Sequence, residues 1–245
     1  MRKYLGIGLL CLCLLALCTC GQAEPVQTIV PTTQPPATQP IKYPASYKDA
    51  PEAYKPVLDS LYHLVHCIRN DVYDDKLWTW FDAGITVPPG LAFDEDDEFR
   101  HNSIGYAIKD INNDGVPELL IMSDLPYVLS LFTLKDNEPV HLESYEHRRL
   151  GAFAADGTIY TSIYSGAGAW DLYSHELKKG ASELTELTQF YYYTHFSEPP
   201  PNNINYYQVI DGEEHDISKE KFLEIQEKYE NPPNPMPLTF ISIEQ

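Results

Sequence analysis

The chain is poor in basic residues: 17 Lys and Arg stand against 36 Asp and Glu, which gives a formal net charge of -19 over 245 residues. Nucleic acids and anionic lipid surfaces are themselves negative and attract proteins through basic patches. The charge balance therefore argues against a nucleic-acid partner and against electrostatic binding to an anionic lipid surface. An excess of carboxylates favours solubility and contact with divalent cations.

Cysteine is almost absent beyond the N-terminal segment. Four of the five cysteines lie within the first twenty residues, and only Cys67 follows them. A domain with one cysteine has no intramolecular disulfide, so its core must hold without covalent cross-links. His63 and Cys67 have the i, i+4 spacing of a zinc-binding pair, but two ligands are too few, and we interpret both as packing or surface residues.

Common catalytic motifs are also missing. The sequence contains no Gly-x-Ser-x-Gly nucleophile elbow, no His-Glu-x-x-His motif and no phosphate-binding Gly-rich loop before a helix. We therefore predict no catalytic residue. A glycosidase-type pair of carboxylates stays open, because an acidic chain offers many pairs whose separation the sequence does not reveal.

The most informative segment present is Asp-Ile-Asn-Asn-Asp-Gly-Val-Pro-Glu at 110–118. Oxygen-bearing side chains at alternate positions suit calcium, which takes several oxygen ligands on a tightly curved backbone. Gly115 permits the sharp turn that a residue with a Cβ resists. The predicted calcium ligands are Asp110, Asn112, Asp114, the Val116 carbonyl and Glu118.

The flanks of this loop distinguish it from an EF-hand. An EF-hand loop ends in a bidentate Glu and lies between helices, whereas here Ile121 takes that final position and both flanks have the pattern of strands. The loop resembles the strand–loop–strand calcium sites of integrin-type (FG-GAP) β-propeller repeats, in which an earlier acid closes the shell. An Asx-rich β-turn without metal is the alternative, because Asn, Asp and Gly are also ordinary turn residues.

Residues 1–20 are predicted to form a lipoprotein signal peptide. Arg2 and Lys3 precede an apolar run, Tyr4 to Cys18, that is too short for a comfortable membrane span. The run ends in a segment that resembles a bacterial lipobox, which implies lipid attachment at Cys20. Lipidation at Cys18 and a plain secretory signal are the alternatives.

Residues 21–44 are rich in Pro, Thr and Gln and almost uncharged, which predicts a disordered, extended tether. Residues 45–245 are predicted to form one domain. Together these segments indicate a protein anchored by lipid on the extracellular face of the cell membrane.

The predicted fold class is α+β, with an antiparallel β-meander and an N-terminal and a C-terminal helix packed on it. Apolar residues at helical spacing predict a helix at 55–69, and Ser218 is the predicted N-cap of a second helix ending near Tyr229. Short apolar or alternating runs separated by turn residues predict the strands between them. These are 104–110, 118–123, 127–134, 139–146, 149–154, 158–164, 169–177, 184–192 and 205–210, with a last strand at 238–243.

This order of segments resembles a group of surface lipoproteins from Gram-positive gut bacteria. The resemblance is carried by Tyr106 to Leu120, the Asp156-Gly157 hairpin, Ser165 to Trp170, and Tyr207-Gln-Val-Ile-Asp-Gly212 leading to Ser218-Lys-Glu-Lys-Phe222. It implies a lipid signal, a low-complexity tether and a calcium-loop domain. It implies no activity.

The sequence supports two functional hypotheses. The first is a non-catalytic, calcium-stabilised surface module that binds a glycan or a protein, with Trp78 and Trp80 as possible stacking residues for a sugar ring. The alternative is a secreted hydrolase of wall or dietary polymers that uses a carboxylate pair.

Metabolic labelling with a fatty-acid analogue tests the predicted anchor. We expect label on the wild-type chain and on Cys18→Ala, and none on Cys20→Ala. Label that persists on Cys20→Ala contradicts the assignment, and loss of label on Cys18→Ala alone would move the attachment site to Cys18.

Overall fold

Antiparallel strands and two helices make up the part of the chain that the structure, a computed structural model, describes: residues 41–70, 103–123, 128–145, 149–166, 168–194 and 204–244. The helices are α1 (Lys55–Arg69), which follows a 3-10 turn at Glu52–Tyr54, and α2 (Lys219–Glu230). The strands are β1 (Ile104–Lys109), β2 (Glu118–Ser123), β3 (Val128–Lys135), β4 (Glu138–Ser144), β5 (Arg149–Phe153), β6 (Thr158–Gly166), β7 (Ala169–Leu177), β8 (Leu184–Thr194), β9 (Ile204–Ile210), β10 (Glu213–Ile217) and β11 (Ile241–Ser242). Cys20, Trp78 and Trp80 lie outside the described residues.

The strands form two antiparallel sheets. Sheet A has the order β11-β1-β2-β3-β4, and sheet B has the order β10-β9-β8-β7-β6-β5. The predicted α+β class with an antiparallel meander and two helices is confirmed. The meander divides between β4 and β5 instead of continuing as one sheet. Two sheets give each helix its own sheet to cover and leave the sheets able to pack on each other, whereas one open sheet of about ten strands would be at the usual upper limit of size.

Helix α1 covers one face of sheet A. Its buried residues Leu58, Leu61 and Val65 follow helical spacing and share a core with Leu119 and Ile121 of β2. Pro56 lies in the first turn, where the missing N–H removes no helical hydrogen bond. The apolar stripe thus determines both the helix and its docking surface.

Helix α2 covers one face of sheet B. Phe222, Ile225 and Tyr229 lie on its inner side and pack with Tyr160 and Leu172. Its start is fixed by Ser218, whose Oγ accepts a hydrogen bond from the Lys221 backbone N–H at 3.1 Å, as the sequence predicts.

A third core joins the faces of the two sheets that the helices do not cover. Leu120 and Leu131 of sheet A are fully buried against Phe153 and Ile159 of sheet B. In β2, alternate residues therefore serve two cores, one under α1 and one between the sheets. This explains why β2 is buried along its whole length and why its middle, residues 119–122, is an uninterrupted apolar run.

Two strands differ from the prediction. β10 has the sequence Glu-Glu-His-Asp-Ile and is exposed at its first four residues. It pairs with β9 across a turn in which Asp211 and Gly212 have positive φ, so the turn and not hydrophobic alternation determines it. β11 contains two residues of the predicted 238–243, and it pairs with Gly105 and Tyr106 of β1.

The compact unit spans Ile41–Gln245. Tyr43, in the last part of the predicted tether, contacts α1, where its hydroxyl lies 2.6 Å from His63 Nδ1. The Lys55 ammonium donates to the Pro44 carbonyl at 3.2 Å. The described chain therefore joins the domain a few residues before Ala45. No helix among the described residues is long and apolar enough to cross a membrane.

The N-cap of α2 gives a stability test. Ser218→Ala removes the acceptor for the Lys221 N–H and should lower the free energy of unfolding by about 1 kcal/mol. Ser218→Asp keeps an acceptor at this position and should unfold close to the wild type in a urea titration. Equal loss in both variants would show that the cap does not carry the effect.

Candidate functional site

The predicted calcium loop connects β1 to β2 at one end of sheet A. The last ladder pair before it is Lys109 with Glu118. Asn113 and Gly115 have positive φ values of 56° and 89°. Asn tolerates this conformation better than most residues and Gly adopts it without strain, so this sequence permits the tight curl.

Asp110 and Asn112 direct their oxygens into the curl. Asp110 Oδ1 accepts the Asp114 N–H at 3.2 Å, and its Oδ2 accepts the Gly115 N–H at 3.0 Å. Asn112 Oδ1 accepts the same Asp114 N–H at 3.0 Å. Each of these oxygens has two lone pairs, so each can accept a backbone N–H and still face a cation.

Among the acids of the loop, Asp114 accepts the most hydrogen bonds. Its Oδ1 accepts the Val116 N–H at 2.8 Å, and its Oδ2 accepts the Gly180 N–H at 2.9 Å and the Asn112 Nδ2–H at 3.0 Å. Burial raises the pKa of Asp114, but the Gly180 and Val116 donors outweigh it and leave the pKa below its usual value. The side chain is therefore a carboxylate at neutral pH.

Glu118 is fully buried below the loop. Its Oε2 accepts the Ile111 N–H at 2.8 Å, and its Oε1 accepts the Thr133 hydroxyl at 3.0 Å. Burial raises the pKa of Glu118 to about 7, opposed by these two donors and reinforced by the charges of Asp114 and Asp110. A cation bound nearby would offset those two negative charges and so lower the pKa of Glu118.

The loop also contacts sheet B. The Gly180 N–H that binds Asp114 and the Lys178 carbonyl that accepts Asn112 Nδ2 at 3.3 Å both belong to the β7–β8 turn. At the β5–β6 turn, a Cβ on Gly157 would lie 2.8 Å from the Ile111 carbonyl oxygen, so only Gly allows this approach. The loop thus lies where the two sheets meet.

The donor set is compatible with calcium. Carboxylate and amide oxygens of Asp110, Asn112 and Asp114 lie on one turn, and oxygen ligands are what calcium takes. No group of three or more His, Cys, Asp or Glu among the described residues is arranged around one point. Glu118, turned to Ile111 and Thr133, lies behind the turn, and with a pKa of about 7 its carboxyl group is only partly ionised at neutral pH.

A cleft between α2 and sheet B is a second candidate site, and no sequence motif marks it. It has a volume of about 780 Å³, within the usual range for ligand pockets. Four strands and a helix that are distant in sequence contribute to it, which is why no spacing pattern reveals it. The lining residues are Asp156, Thr158, Tyr160, Ser174, Leu187, Thr188, Phe190, Gln208, Lys221, Glu224, Ile225, Glu227, Lys228, Tyr229, Asn231 and Pro233.

No family model, curated protein or solved structure matches this chain.

The buried carboxyl group of Glu118 predicts that the free energy of unfolding depends on pH when a chelator keeps calcium away from the protein. Its pKa rises on folding from about 4.5 to about 7, so protonation favours the folded state. This stabilisation is complete below about pH 4.5 and is lost as the pH rises through about 7, a change of up to about 3 kcal/mol relative to Glu118→Gln. Urea titrations of both proteins between pH 4 and 8 measure it, with the exposed Glu213→Gln as control. Parallel profiles for wild type and Glu118→Gln would contradict the assignment.

Proposed function

We propose that this protein is a lipid-anchored extracellular binding module whose domain is stabilised by calcium at the β1–β2 loop. The observation that carries the proposal is the loop itself. Oxygens of Asp110, Asn112 and Asp114 crowd one turn, and the carboxyl group of Glu118 lies buried behind it. Crowded carboxylates repel one another, and a hard cation relieves the repulsion.

The position of the loop supports a stabilising role for the metal. Asp114 accepts a hydrogen bond from the β7–β8 turn of sheet B, while Glu118 begins β2 of sheet A. In addition, Tyr54, just before α1, donates its hydroxyl proton to the Pro117 carbonyl at 3.0 Å. An ion bound at the loop would therefore hold together three parts of the domain.

The lipid anchor at Cys20 and the extracellular location are part of the same proposal, and they rest on the predicted signal peptide and tether of residues 1–44. Calcium is abundant outside cells, and extracellular calcium modules bind with dissociation constants of about 0.1–1 mM. A site of that strength suits a protein exposed to the medium.

The proposed role is binding and not catalysis. A hydrolase of the glycosidase type needs an acid with a raised pKa opposite a second carboxylate. Among the acidic residues that the structure describes, the one with a raised pKa is Glu118. It is buried under the loop and does not line the cleft. Asp156 lines the cleft, and the N–H and side chain of Thr158 keep its pKa below the usual value.

Thermal unfolding with calcium or chelator tests the metal. With a dissociation constant of about 0.1 mM, about 1 mM calcium should stabilise the fold by roughly 1.4 kcal/mol, and raise the melting temperature by a few degrees. Magnesium should have much less effect, because it demands a tighter octahedral shell.

Asp114→Ala should abolish the calcium increment. The substitution also removes the hydrogen bond from Gly180, so the melting temperature should fall even in chelator. The metal effect is therefore read from the difference in melting temperature between calcium and chelator for each variant. Asp216→Ala, at an exposed position of β10, is the matched control and should retain the full increment. A wild-type melting temperature that is indifferent to both calcium and chelator would leave the metal-free Asx turn as the better account.

A further inference from the structure

The first part of β8 has an open backbone edge. Residues 189–192 pair with β7 on one side and with β9 on the other, whereas residues 184–188 pair with β7 alone. β9 ends at Ile210, and the chain then turns through Asp211 and Gly212 into β10, which pairs with β9. Within the part of the chain that the structure describes, no strand therefore lies beside residues 184–188 on the β9 side. The backbone N–H and C=O groups on that side are available to another extended chain.

A β-bulge lies at the same place. Thr188 pairs with Ser174 of β7. Glu186 pairs with the next residue, His175, so Leu187 is an extra residue of β8 with no residue opposite it. The Leu187 side chain is 47% exposed and lines the cleft between α2 and sheet B. Bulges redirect side chains and end strand pairing, and here the bulge places an apolar side chain in the open edge.

The cleft beside the open edge offers an apolar surface to a bound side chain. Its exposed lining is more apolar than polar, and Leu187 and Pro233 are the exposed apolar residues among those that line it. The hydroxyl groups of Ser174 and Tyr229 belong to buried side chains and are already hydrogen-bonded within the domain. With a volume of about 780 Å³, the cleft has room for a large side chain.

The charges around the open edge favour a basic partner. Glu183 and Glu186 are exposed on the edge or next to it, and the exposed Asp211 lies in the turn that ends β9. The lining of the cleft adds three carboxylates and two ammonium groups. Carboxylates are therefore in excess on both sides of the edge, and a partner with positive side chains complements them.

The two lysines that precede the open edge do not reverse this balance. Both belong to the β7–β8 turn, and each has an acidic neighbour. Lys178 Nζ lies 3.7 Å from Glu176 Oε1, and Lys179 lies near Asp114 of the β1–β2 loop.

We infer that residues 184–188 of β8 bind an extended peptide in which apolar and basic residues alternate. The peptide continues the line of β9, and its backbone forms hydrogen bonds with β8. Successive side chains of a strand point to opposite faces, so every second side chain enters the cleft beside Leu187. The side chains between them face Glu186, which pairs with His175 and so lies on the opposite face of sheet B from Ser174. This inference names the partner class of the proposed binding module and rests on that proposal.

Calorimetric titration of the protein in calcium tests the inference with the peptide Lys-Val-Lys-Leu-Lys-Val-Lys, blocked at both ends. This peptide should bind, and Glu-Val-Glu-Leu-Glu-Val-Glu should bind at least about tenfold more weakly because its charge has the wrong sign. N-methylation of alternate residues removes the N–H groups along one edge of the peptide. Methylation of one alternate set should abolish binding and methylation of the other set should be tolerated, because only one edge of the peptide faces β8.

Leu187→Ser should weaken binding of the basic peptide about fivefold, since the exposed half of this side chain becomes covered in the complex. Leu223→Ser is the matched control, because Leu223 is 48% exposed on α2 and lies outside the cleft lining. It should leave the affinity unchanged. About half of each side chain is already exposed, so neither substitution should change the melting temperature much.

Failure of the basic peptide to bind overturns the inference. Equal binding of the acidic peptide, the same response to both N-methylated sets, or equal effects of Leu187→Ser and Leu223→Ser overturn it as well. Self-association of the protein that Leu187→Ser abolishes would assign the edge to a second copy of this chain and would also overturn it. A protein that calcium stabilises but that binds no such peptide would refute the partner class and leave the calcium module standing.

Discussion

The burial of β2 on both faces is the constraint on which the rest of the domain depends. Leu119 and Ile121 lie under α1, and Leu120 faces sheet B. One strand thus joins a helix-covered face to a sheet-covered face, and removal of either neighbour would expose a row of large apolar side chains. The candidate metal loop lies directly before this strand, so a fully buried element of the fold determines where the loop ends.

The sequence predicted the elements whose signals are local. The apolar stripe of α1, the Ser218 cap of α2 and the turn residues between strands each act within a few residues, and the structure has α1 at its predicted bounds and α2 within one residue of its predicted end. β10 was missed because four acidic or polar side chains carry no alternation, and its pairing is determined by the turn before it.

The division into two sheets and the cleft could not be predicted in the same way. Both depend on which faces of distant strands meet, and the spacing of residues along one segment does not contain that information. The β1–β2 loop shows that spacing along one segment is insufficient even for a single motif. Its residue types indicated oxygen ligands, but the contacts of Asp114 with Gly180 and of Glu118 with Thr133 join residues far apart in sequence. Those contacts show Glu118 to be a buried acid and the loop to be a connection between sheets.

The polar sequence of β10 has a consequence for how copies of this domain meet. β10 is an edge of sheet B, and an edge strand presents unpaired backbone groups to which another chain can add. Glu213, Glu214 and Asp216 place three exposed carboxylates along five residues of that edge. Two such edges brought side by side repel each other, so β10 is protected against strand-to-strand aggregation where many copies are crowded together.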